Sequence, residues 1–70
     1  MARHVALLRT LALWKQLQGG KRTLYDLEEM FNVDTRTIRR DIEVLRKIGV
    51  PIRHERGRRL GKWWAERRAS

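Results

Sequence analysis

The chain is 70 residues long, which limits it to one domain, residues 1–70, with a small core. It has no cysteine, so disulfides and thiolate metal ligands are excluded and a reducing cytoplasm suits it. Lysine and arginine number 17 against 8 acidic residues, a net charge of +9, and no apolar run approaches the roughly 20 residues that span a bilayer.

No signal-peptide pattern is expected either, because Arg9 interrupts the apolar stretch begun by Val5-Ala6-Leu7-Leu8. The charge is unevenly placed. Residues 1–35 hold five basic and four acidic side chains, whereas residues 36–70 hold twelve and four. Such segregation favours a polyanionic partner, most simply nucleic acid, over a merely solvated basic surface.

Residues 2–18 predict a first helix, with Leu7, Leu11, Trp14 and Leu17 as its apolar stripe and Leu8 beside it. Val5, Ala6, Ala12 and Leu13 fall off that stripe, so the helix is apolar nearly all round. One reading gives Val5, Ala12 and Leu13 to a homodimer interface; the other covers them with the chain's own wing or tail. Gly19-Gly20 ends the helix.

Thr23 is a good N-cap for a second helix over residues 24–31, and Asp26 at the third position shortens the usual capping box by one methylene. Leu24, Leu27 and Phe31 supply its buried side, with Met30 in the core or at its edge. Asn32-Val33-Asp34 then reads as a turn: Asn32 tolerates a left-handed backbone, Val33 plugs the core and Asp34 caps the next helix.

The third helix is predicted over residues 35–48, stopped by Gly49. Ile38, Ile42 and Leu45 recur at i, i+4 and i+7 on one face, and Arg36, Arg40, Glu43 and Lys47 fall on the opposite face. Asp41 borders the buried face, where a carboxylate would not help to bind DNA. It is read as structural, tying a nearby arginine or an amide.

Pro51 cannot continue a helix and suits the start of an edge strand. Two strands, residues 51–55 and about 59–64, form a hairpin around Arg56-Gly57-Arg58 and together a wing over residues 51–64. Trp63 and Trp64 are adjacent and so face opposite sides, one of them toward the core. Residues 65–70 are polar and expected to fray. Helix, helix, helix and hairpin, with a tight turn between the second and third helices, predict a mainly α winged helix-turn-helix.

A short helix with a thin apolar edge and arginines near its N-terminal end suits the major groove of DNA. Arg36 and Arg40 are placed to read base edges, since a guanidinium contacts guanine O6 and N7 bidentately. The hydroxyls of Thr35 and Thr37 and the first-turn amides suit phosphate oxygens, or serve ordinary helix stabilisation. Arg39 on the flank and Lys47 suit phosphates, although Glu43 and Lys47 also form an i, i+4 pair worth a few tenths of a kcal/mol. Arg56, Arg58 and Arg59 at the hairpin tip suit a narrow minor groove or the phosphates beside it.

Enzyme chemistry finds few parts. The only serine is Ser70, and His4 and His54 are far apart with no carboxylate cluster to join them as metal ligands. No glycine-rich phosphate loop is present. The expectation is therefore no catalytic, cofactor or metal site. Binding of double-stranded DNA is preferred to the rival reading, a protein-interaction module whose basic surface is incidental.

Thr23-Leu24-Tyr25-Asp26-Leu27, Phe31-Asn32-Val33-Asp34, Arg36-Thr37-Ile38-Arg39-Arg40-Asp41-Ile42 with Leu45, and Gly49-Val50-Pro51-Ile52 resemble the N-terminal winged helix of bacterial DeoR-type and WYL-domain transcription regulators. The resemblance covers about residues 3–60. It implies sequence-specific DNA binding, usually as a dimer and usually for repression, with the helix from Thr35 as recognition helix and a cytoplasmic, nucleoid-associated location. Three departures stand out. Glu28 follows the leucine of the second helix where a small residue is usual. Arg58 and Arg59 follow Gly57 where the wing often has an aromatic. Finally, such regulators continue into a ligand-sensing domain that these residues do not include.

Overall fold

A computed structural model describes residues 2–57 and 60–66, with side chains from residue 7 onward. The elements run in the order α1 (Ala2–Gln18), β1 (Arg22–Thr23), α2 (Leu24–Phe31), α3 (Thr35–Lys47), β2 (Ile52–His54) and β3 (Lys62–Ala65). The strands form one antiparallel sheet in the order β1-β3-β2, so the last strand lies in the middle. This is the mainly helical winged architecture that the sequence predicts.

Local signals account for the helix ends. The Thr23 hydroxyl accepts from the Asp26 amide at 3.1 Å, and the Asp26 carboxylate accepts from the Thr23 amide at 3.0 Å. This reciprocal box starts α2 and holds the Asp26 carboxyl below its ordinary pKa, chiefly through the backbone donor. Asn32 ends the helix at φ 54°. Asp34 caps α3 by accepting from the Thr37 amide at 2.9 Å. Ile48 forms the C-cap, and Gly49 follows at φ 99°, a left-handed value that favours glycine.

The core joins all three helices to one face of the sheet. Leu13, Leu17, Leu24, Leu27, Ile38, Ile42 and Leu45 are fully buried, each stabilising the fold by about 2 kcal/mol of transfer free energy. Val50, Ile52, Trp63 and Ala65 close the cluster from below, with Trp14, Phe31 and Val33 packed on its edge.

Four expectations are corrected. The α1 stripe is rotated: Leu13 and Leu17 are fully buried, while Leu7 and Leu11 are exposed. Leu13 therefore belongs to the core and cannot serve a dimer face; with apolar residues on every side, periodicity alone could not choose which ones the core takes. The wing gains a third strand, β1, because Arg22 and Thr23 pair with Trp63 and Lys62. A two-residue strand carries no period-2 signal. Next, β3 extends to Ala65, which is buried, and the Glu66 amide bonds to the Pro51 carbonyl at 2.9 Å, so the tail begins later than residue 65. Finally, Met30 is 43 % exposed, on the rim rather than in the core.

Candidate nucleic-acid interface

The site is built on α3. Its inner face, Ile38, Asp41, Ile42 and Leu45, is buried. The 3.6-residue period then forces Arg36, Arg39, Arg40, Glu43 and Lys47 outward, and all five are exposed. Among the described residues Arg36, Arg39, Arg40 and Lys47 form no ion pair within the chain. Glu43 pairs instead with Arg46 at 3.7 Å rather than with Lys47, so the expected i, i+4 pair is replaced by an i, i+3 pair. A row of exposed cations thus lies along the outer side of a helix fixed by its apolar face.

The two threonines at the start of α3 contact carboxylates of the chain, in keeping with the helix-stabilising alternative. The Thr35 hydroxyl donates to the Glu28 carboxylate. Glu28 thus fastens α2 to the first turn of α3 across the turn. Thr37 faces the Asp34 carboxylate, which its side chain and amide hold below the ordinary pKa.

Asp41 supplies the second brace. Its carboxylate accepts from Arg9 Nε at 2.6 Å and from Nη2 at 3.2 Å, a forked bond between α1 and α3. The sequence marks Asp41 as structural; its partner lies 32 residues away. The donation to Asp41 raises the Arg9 pKa against the opposing effect of burial.

Arg46 is a residue that sequence reasoning passes over. Its Nη2 donates to the Ile52 carbonyl at 3.2 Å, and its guanidinium lies 5.3 Å from the Trp63 ring centroid. On the other side of the wing's base, His54 stacks on Trp63 with centroids 3.8 Å apart and an interplanar angle of 11°. Trp63 is the inward member of the pair; Trp64 is partly buried, with Lys21 Nζ 4.5 Å from its ring centroid. The only sequence signal for Arg46 is a cation on the same flank of α3 as Arg39, one heptad later.

The wing is therefore attached to the flank of the helix that carries the free arginines. Arg56 is exposed near its tip; Arg58 and Arg59 lie outside the described residues, as does the side chain of Val5. Ala12 is exposed on α1. Among the described residues, no helix is long and apolar enough to cross a membrane.

A short helix, a tight turn and an arginine-faced helix, backed by α1 and flanked by a basic three-stranded sheet, define a winged helix-turn-helix domain. The chain matches the HTH domain family over residues 5–61 and belongs to it. That family is one of DNA-binding domains, so a DNA partner and a place in transcription regulation follow at that level. No curated protein and no solved structure matches the chain significantly.

Proposed function

We propose that this domain binds double-stranded DNA sequence-specifically as a transcriptional repressor of the DeoR-type or WYL-domain kind, in the cytoplasm on the nucleoid. In this reading residues 1–70 act as one binding domain rather than an enzyme. The observation that carries it is the set of exposed, unpaired Arg36, Arg39 and Arg40 on the outer side of α3. Arg36 and Arg40, one turn apart, read base edges in the major groove. Arg39 and Lys47 hold phosphates on either side, and Arg56, with Arg58 and Arg59, lies at the minor groove or backbone. Thr35 and Thr37 contribute by orienting the helix through Glu28 and Asp34.

Binding as a homodimer fits the face of α1 opposite the core. Leu7, Leu8 and Leu11 are 59, 64 and 47 % exposed. Leu7, Leu11, Trp14 and Gln18 follow at helical spacing, and the last two line a groove of about 660 Å³ with Ile48, Val50 and Pro51. The same apolar face also supports the second reading, a module that docks another protein.

Fluorescence anisotropy on duplex DNA separates these readings. Binding should weaken steeply with salt, as displaced counterions require. Arg36→Ala and Arg40→Ala should each cost about tenfold on a site selected from random duplexes and much less on unselected DNA. Equal losses on every sequence would make these arginines phosphate anchors only. Affinity indifferent to salt would sink the DNA-binding reading and leave the docking module.

A further inference from the structure

Among the described residues the most exposed large apolar side chain is Leu60, at 77 %. It lies in the turn between β2 and β3, where it contributes nothing to the core. The turn around it is closed. The Gly61 amide donates to the Gly57 carbonyl at 3.1 Å, and Gly57 adopts φ 119°. A Cβ at Gly61 would overlap the Gly57 carbonyl oxygen and stand only 2.6 Å from the Glu55 carbonyl oxygen. Only glycine fits there. Below the clasp, the Glu55 amide bonds to the Lys62 carbonyl at 2.9 Å, and the His54–Trp63 stack follows. Leu60 thus sits next to a glycine that is clasped to the base of the hairpin.

Its chemical setting identifies a partner. Arg56, Arg58 and Arg59 precede Leu60 within five residues of chain, with no acidic residue between Glu55 and Glu66. An exposed apolar side chain in so basic a stretch of sequence is poorly suited to an apolar protein groove or to a second copy of the same stretch. It is well suited to the minor groove of a duplex, where cations meet phosphates and an apolar side chain can press between base pairs.

We propose that Leu60 is a wedge that enters the minor groove and partly unstacks one base step, bending the duplex toward the major groove. The proposal rests on the DNA-binding reading. Unstacking costs a few kcal/mol and is least costly at pyrimidine–purine steps. Leu60 therefore adds a preference for such a step at the wing without a hydrogen bond to any base.

The test uses the full chain and two end-labelled duplexes of equal composition. One carries a central TpA step with 2-aminopurine in place of the adenine, and the other an A-tract. The wild-type chain should bind the first more tightly, raise its 2-aminopurine fluorescence and shorten its end-to-end distance by energy transfer. Leu60→Ala should keep the parent's melting temperature and salt slope while losing the fluorescence rise and about tenfold in affinity for that duplex. Leu60→Met, equally apolar and nearly as large, should retain both. Binding without any fluorescence change, or Leu60→Ala behaving as wild type, overturns the wedge while leaving DNA binding intact. Failure to bind either duplex at low salt overturns the DNA-binding reading, and the wedge with it.

Discussion

At the scale of single residues, two carboxylates decide how α3 is held. Glu28 accepts from Thr35 and ties α3 to α2; Asp41 accepts the Arg9 fork and ties α3 to α1. Together with the Arg46 bond to the Ile52 carbonyl, they add polar ties to the apolar contacts that support α3. The Asp41 side chain is 6 % exposed and that of Arg9 21 %, so solvent screens the pair only in part. Asp41→Ala should cost about 1–3 kcal/mol, because it strands a half-buried guanidinium without its acceptor. The urea midpoint at unchanged slope measures this, and a midpoint equal to the parent's would show the pair to be energetically idle. That Asp41 is structural is legible in the sequence, since it borders the apolar edge of the helix. That Arg9 is its partner is not, because a contact between residues so far apart in the chain depends on how the two helices cross.

At the scale of elements, the helix ends are the most local features and the most legible. Thr23 with Asp26, Asn32, Asp34 and Gly49 each act through atoms within a few residues, so their chemistry is complete in the chain segment itself. The third strand and the rotated face of α1 are not local. β1 exists because Arg22 and Thr23 meet Trp63 and Lys62, and α1 turns Leu13 inward because the other elements leave room for that side. The wing turn is intermediate: its glycines are visible in the sequence, but the clasp between Gly57 and Gly61 appears only when the turn closes. Gly61→Ala should loosen the wing and leave the helices folded. In the ¹⁵N spectrum the β2 and β3 amides should shift and broaden while those of α2 and α3 stay in place. Unperturbed β2 and β3 resonances would refute the clasp.

At the scale of the whole molecule, the division of surface is the main result. The outer side of α3 and the wing are cationic, and the outer side of α1 exposes Leu7, Leu8 and Leu11. A two-fold dimer through α1 would present two reading helices to one duplex, and half-site spacing would then follow from the distance between them. Leu8→Glu and Leu11→Glu should shift the chain toward monomer in sedimentation velocity at an unchanged melting temperature. Leu13→Glu should unfold it instead, because a carboxylate would be buried without a partner. A monomeric parent chain would assign the α1 face to a different protein.

The sequence by itself determined the order of elements, the capped ends, the inner and outer faces of α3 and the place where the charge turns basic. Each follows from periodicity or from chemistry between near neighbours. The tertiary structure decided which side of α1 is core, that Arg46 attaches the wing to α3, and that Leu60 is exposed in the turn between β2 and β3. These depend on packing between segments far apart in the chain, and no short stretch of residues carries that information.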